Sequence, residues 1–120
     1  MKKIALIEDD EFILDFVSNQ LDQAGYQIST CVDGEKALAH VLEQKPDLIL
    51  LDLDLPHING HQIMQDIKAN QTINSIPIVI FSNNDDPNQI KELIALGASD
   101  YYLKASTNPE DLVALITKHL

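Results

Sequence analysis

The sequence predicts an α/β domain: a five-stranded parallel sheet with helices packed on both faces. Three observations carry this. Short apolar runs alternate five times with stretches of helical periodicity along 120 residues. The run Leu48-Ile49-Leu50-Leu51 is apolar without interruption, as a strand covered on both faces must be. The connections are short, which keeps consecutive elements adjacent in space.

In order, Lys3–Ile7 reads as the first strand, ended by the acidic run Glu8-Asp9-Asp10-Glu11. The first helix spans 12–24, with Ile13, Phe16, Val17, Leu21 and Ala24 on its apolar stripe and Gly25 as a C-terminal cap. Gln27–Val32 is the second strand. Asp33-Gly34-Glu35 opens a second helix whose inner face is Ala37, Leu38, Val41 and Leu42, and Lys45-Pro46 stops it. Leu48–Leu51 is the third strand. A turn containing Pro56 leads to a third helix over Gly60–Asn70, with Ile63, Met64 and Ile67 inward. Ile76–Phe81 is the fourth strand, where Pro77 is tolerated only at the start. The polar loop 82–87 precedes a helix over Asn88–Leu96, closed by Gly97. Asp100–Leu103 is the last strand. Asn108-Pro109-Glu110-Asp111 then begins a fifth helix, with a capping candidate, proline at the first position and acids in the first turn. Leu112, Val113, Ile116 and Leu120 form its stripe. No repeat or linker divides the chain, so residues 1–120 are expected to form one domain.

Formal net charge is −11, and all eight basic residues are lysines. Without arginine there is no bidentate phosphate fork, and the acid excess argues against nucleic acid or an anionic membrane as partner. Cys31 has no cysteine to pair with and lies among apolar residues, which fits a buried thiol in a reducing cytoplasm. The apolar run Ile4–Ile7 is too short for a signal peptide or a membrane span. None of His40, His57, His61 and His119 has ligand-like spacing.

Chemistry-bearing residues stand where strands end: Glu8 and Asp9 after the first, Asp52 after the third, Lys104 after the fifth. In open parallel sheets, ligands collect outside the carboxyl ends of the strands. If the first and third strands are neighbours, their carboxylates converge. Three such groups cannot stay ionised together without a cation, and Mg²⁺ suits a site that offers a few carboxylates and leaves positions for water or phosphate oxygens. Lys104 would add a point charge on a long stem, suited to a phosphoryl oxygen. Taken singly, each residue has a plainer reading. Glu8 and Asp9 could be acids at a helix start, Lys104 a surface lysine, and Asp52 a carboxylate satisfied by loop amides.

The chain resembles, from end to end, the receiver domain of bacterial two-component response regulators, chemotaxis receivers among them. The residues that carry the resemblance are Glu8-Asp9, Asp52-Leu53-Asp54-Leu55-Pro56 with Gly60 beyond, Ser82 after the fourth strand and Lys104 after the fifth. It implies a flavodoxin-like, doubly wound sheet in strand order 2-1-3-4-5. It implies that Asp52 takes a phosphoryl group from a histidine kinase or a phosphotransfer protein. Asp9 and Asp52 would bind Mg²⁺ directly, Glu8 through water, and the backbone carbonyl of Asp54 would complete the protein ligands. Ser82 would donate its hydroxyl to the attached phosphoryl group, and Tyr101 would be the aromatic that turns inward when Ser82 moves. The domain would be a phosphoacceptor rather than an enzyme, although it would catalyse its own phosphorylation and dephosphorylation. Its output would pass to a downstream protein or to a second copy.

The chain also departs from the family pattern. Lys104-Ala105 replaces the usual Lys-Pro, whose peptide bond is cis; a trans bond here would aim Lys104 less firmly. Asn83 stands where a small residue is common and would narrow the approach to the phosphate. Asp54 and Asn84, two residues past Asp52 and Ser82, are expected to tune hydrolysis of the phosphoryl group. Asn83 and Ala105 support an alternative reading, a pseudo-receiver that binds proteins without being phosphorylated. A small binder of flavin or nucleotide is disfavoured, because four acids follow the first strand where a phosphate-cradling loop would be needed.

Overall fold

The three central strands are short isoleucine-, valine- and leucine-rich runs whose side chains alternate between two apolar layers, and this alternation sets the architecture. The computed structural model describes residues Met1–Leu120. Its strands are β1 (Lys3–Ile7), β2 (Gln27–Cys31), β3 (Leu48–Leu51), β4 (Ile78–Ser82) and β5 (Asp100–Leu103). Its helices are α1 (Glu11–Gln23), α2 (Ala37–Gln44), α3 (Gly60–Ala69), α4 (Pro87–Ala95) and α5 (Pro109–Thr117). All strand pairs are parallel, in the order β2-β1-β3-β4-β5. The expected fold class and strand order are therefore those observed.

Period-two alternation divides the core cleanly. Ala5, Ile7, Ile49, Leu51, Ile78 and Ile80 face a 17-residue cluster completed by α2, α3 and α4. Ile4, Leu6, Leu48, Leu50, Val79 and Phe81 face a 10-residue cluster completed by Val17, Leu21, Leu112 and Ile116 of α1 and α5. The larger cluster is the one under three helices.

Both predicted glycine caps are in place, and three helix starts carry side-chain caps that were not predicted. Gly25 and Gly97 sit at φ +93° and +113°, just past the ends of α1 and α4, and the residues after them bond back to Leu21 and Leu93 carbonyls. Asp10, Asn59 and Asp86 accept backbone N–H groups at the starts of α1, α3 and α4. Pro109 opens α5, whereas the side chain of Asn108 makes no capping bond.

Several boundaries differ from expectation. Strand β4 starts at Ile78 rather than Ile76, because Pro77 has no N–H for the ladder; only its carbonyl takes part, accepting from Ile49 N–H at 2.9 Å. The same strand runs on to Ser82, which pairs with Leu103. Strand β2 stops at Cys31: β1 ends opposite it at Ile7, and Val32 is left 54% exposed. Asp33 caps a 3₁₀ turn over Gly34–Lys36 before α2 begins. Ala24 of the predicted stripe of α1 is exposed, as is Phe12, which stacks on Phe16 at 6.2 Å. Cys31 is buried, its thiol 3.2 Å from the Asp33 carbonyl. No helix is long and apolar enough to cross a membrane.

Candidate functional site

The carboxyl ends of β1, β3, β4 and β5 deliver the site. Residues Ile7 and Leu51 are paired across β1 and β3, so the residues that follow, Glu8 and Asp52, emerge side by side; Asp52 N–H donates to the Ile7 carbonyl at 2.9 Å. Glu8 N–H is held on the other side by the Cys31 carbonyl at 3.0 Å. Both acids are 3% exposed, while Asp9 is exposed at the rim. One carboxylate oxygen from each of Glu8, Asp9 and Asp52 lies within 4.8 Å of the others.

Lys104 closes the cluster. Its Nζ donates to Glu8 Oε1 at 2.8 Å, stands 3.4 Å from Asp52 Oδ2 and lies over the Phe81 ring, 5.7 Å from its centroid. The Lys104–Ala105 bond is trans, like every peptide bond in the chain. Lys104 N–H donates to the Ser82 carbonyl at 2.9 Å, one residue past the last ladder pair, Ser82 with Leu103. Phe81 was not legible as part of the site, because its spacing marks it only as strand core.

The electrostatics are those of two buried acids sharing one ammonium. Burial, and then the Asp52 carboxylate beside it, push the Glu8 carboxyl from its ordinary 4.5 up to about 9, against the pull of Lys104. Burial by itself would lower the Lys104 ammonium, but Glu8 and Asp52 outweigh it and hold its pKa above the usual lysine range. Glu8 Oε2 is buried with no hydrogen-bond partner. A buried, unpartnered carboxylate oxygen beside two further acids is the donor set a hard divalent cation takes, so these residues fit one.

The other predicted residues sit around this centre. Asp54 N–H donates to Asp52 Oδ1 at 3.2 Å, orienting that carboxylate, while the Asp54 side chain is exposed. Ser82 is fully buried and its Oγ accepts from Asn84 N–H at 3.1 Å. The half-buried Tyr101 donates its hydroxyl to the Asn84 carbonyl at 2.6 Å, which ties β5 to the loop after β4. Asn83 is exposed. A polar hollow of about 200 Å³ lies beside Asp54, lined also by Asn59, His61, Asn84 and Gln89. Of the histidines, only His61 lines this hollow. His40 bonds Ser29, His119 approaches Asp100, and His57 lies in the β3–α3 loop.

The family model of the response regulator receiver domain matches residues 4–117. Among curated relatives, the chain is 35% identical over 118 residues to the response regulator ArlR of Staphylococcus saprophyticus, covering 98% of this chain and 50% of that protein. The chain spans about half the length of the curated relatives it matches. Among solved structures, it is similar to the chemotaxis response regulator CheY4 of Vibrio cholerae, with TM-score 0.90 and 28% identity over 100% of this chain and 99% of that one. It is also similar to the BeF3-activated receiver domain of Klebsiella pneumoniae RstA, with TM-score 0.86 and 30% identity over 98% and 97% of the two chains.

Proposed function

The chain belongs to the response regulator receiver domain family, a family of signalling domains in two-component systems, and on that premise we propose that Asp52 is its phosphoacceptor. The observation that carries the reading is the convergence of Glu8, Asp9 and Asp52 under the Lys104 ammonium at one edge of the sheet. The donor would be a phosphohistidine of a sensor histidine kinase or a phosphotransfer protein. An Asp52 carboxylate oxygen attacks phosphorus, the P–O bond forms as the P–N bond breaks, and the departing imidazole takes up a proton. Asp9, Asp52 and the Asp54 carbonyl would hold Mg²⁺, with Glu8 acting through water. When bound, the ion supplies positive charge against the phosphoryl oxygens.

The chain's own residues do the rest. Asp54 N–H orients the Asp52 carboxylate, leaving its other oxygen beside Lys104. Lys104 neutralises charge on the transferring group, as a point charge on a mobile stem can. Ser82 gives up its bond from Asn84 and donates its hydroxyl to the attached phosphoryl group. That exchange frees the Asn84 carbonyl region to which Tyr101 is tied, so one local charge biases a two-state aromatic. Asp54 and Asn84, lining the adjacent polar hollow, would set the rate at which water removes the phosphoryl group. Residues 1–120 would act as one receiver module in the cytoplasm. Its output partner would be a protein or a second copy rather than nucleic acid or membrane, in keeping with the net charge of −11.

The test is gel mobility in a phosphate-binding matrix after incubation with acetyl phosphate, with and without Mg²⁺, for the native chain and Asp52→Ala. A Mg²⁺-dependent shift that vanishes in Asp52→Ala is the expected result. A folded protein that never shifts would instead be a pseudo-receiver, and Asn83 and Ala105 would be the residues to revert.

A further inference from the structure

We infer that Gly34 and Ile58 are positioning residues for the Asp52–Asp54 segment, an inference that rests on the phosphoacceptor reading of that segment. The four glycines serve two purposes. Gly25 and Gly97 have positive φ and close helices, whereas Gly34 and Gly60 do not. Conformation therefore does not require glycine at these last two positions; space does. A methyl group on Gly60 would lie 2.5 Å from Leu53 Cα and 2.9 Å from the Asp52 carbonyl oxygen. Gly60 N–H also donates to the Leu53 carbonyl at 2.9 Å, so the far end of the β3–α3 loop is closed directly against the start of the segment.

The middle of the loop is held from a different element. A methyl group on the buried Gly34 would overlap Cγ2 of Ile58 and would lie 3.0 Å from the Ile58 carbonyl oxygen and 3.2 Å from Ile63 Cδ1. Ile58 is thus seated in a hollow that exists only because residue 34 has no side chain. Between Asp54 and Ile58 the chain passes through His57 at φ +74°, where Ile58 N–H bonds the Pro56 carbonyl at 2.9 Å. This is a tight three-residue turn in a region a non-glycine residue occupies only when its surroundings over-determine it. The seat on Gly34 supplies that constraint on one side of the turn, and Leu55, buried in the core, anchors the chain on the other. A side chain at position 34 would lift Ile58 and pass the displacement along the loop to Asp54.

The experiment compares the native chain with Gly34→Ala, Gly34→Ala/Ile58→Ala and Gly34→Ala/Ile58→Val, each at a temperature where circular dichroism shows it folded. Backbone amide shifts of Asp52, Asp54 and Ile58 are read alongside Mg²⁺ affinity of the unphosphorylated protein. Gly34→Ala is expected to move the Asp54 amide and to weaken Mg²⁺ binding about ten-fold, the lower end of what loss of a supporting contact costs a metal site. Ile58→Ala removes the overlapping carbon, leaves only the contacts at 3.0 and 3.2 Å, and is expected to recover most of both effects; Ile58→Val keeps carbon at both γ positions and is expected to recover neither. Should Gly34→Ala fail to fold, recovery of folding by Ile58→Ala and not by Ile58→Val supports the loop seat equally. The inference is overturned if folded Gly34→Ala leaves the Asp54 amide unmoved, or if the two rescuing substitutions behave alike. Absence of Mg²⁺ binding in the native chain would instead sink the phosphoacceptor reading, and the amide shifts would then decide the loop seat by themselves.

Discussion

Two aspartates bracket strand β3, Asp47 before it and Asp52 after it, separated by the same four buried residues. Asp47 is exposed, and its carboxylate accepts Lys3 N–H at 2.8 Å, a local tie between neighbouring strand starts. Asp52 is 3% exposed, lies beside Glu8 and Asp9 and faces Lys104. Strand direction makes the difference. In a parallel sheet every strand delivers its last residue to the same edge, so side chains from β1, β3 and β5 converge there although they are far apart in sequence. At the opposite edge Asp47 is tied to the start of β1 at Lys3.

The largest expected effect separates the two acids outright. Asp52→Asn abolishes Mg²⁺-dependent phosphoryl uptake from acetyl phosphate, while Asp47→Asn leaves the initial rate within about two-fold, as surface changes away from a site do. Equal loss in both would break the contrast.

Lys104→Ala is next. Removing a single preorganised positive donor from a phosphoryl-transfer site should slow uptake about 10²-fold in a stopped time course, with Mg²⁺ still required.

A pH experiment sharpens the contrast without any phosphodonor. With its pKa raised to about 9, Glu8 holds a proton in the folded chain over the range from 4.5 to 9, where the unfolded chain has released it. The folded state thus binds more protons through Glu8, and the stability Glu8 contributes is fully present below pH 4.5 and is lost as pH rises toward 9. In metal-free buffer the melting temperature should therefore fall across this window. Glu8→Gln should flatten the fall, Asp47→Asn should leave its slope unchanged, and added Mg²⁺ should oppose it by binding the ionised, folded form. A slope that survives Glu8→Gln would place the titrating group elsewhere.

The smallest effect is at the quiet end of the strand. Asp47→Ala removes one exposed side-chain bond to Lys3 N–H. It should cost about 0.5–1.5 kcal/mol in chemical denaturation, with phosphoryl uptake unchanged.

The sequence by itself determined the alternation of elements, the helix caps at Gly25 and Gly97, and the continuous apolar strand that ends in Asp52. It also placed Glu8, Asp9, Asp52 and Lys104 at strand ends. These are local properties: periodicity, capping chemistry and the position of a charge relative to an apolar run can each be read within a few residues. Tertiary structure decided what those properties do not encode. Ladder pairing carried Ser82 into β4, and Lys104, followed by alanine rather than the usual proline, reaches Glu8. Burial of Glu8 with a bare Oε2 made an ordinary helix-start acid into a strained one. The seat of Ile58 on Gly34, and the positive φ of His57 that it holds, exist only where two loops distant in sequence come into van der Waals contact. Such contacts depend on which strands become neighbours, and that is settled by burying all the apolar stripes at once rather than by any single stretch of chain.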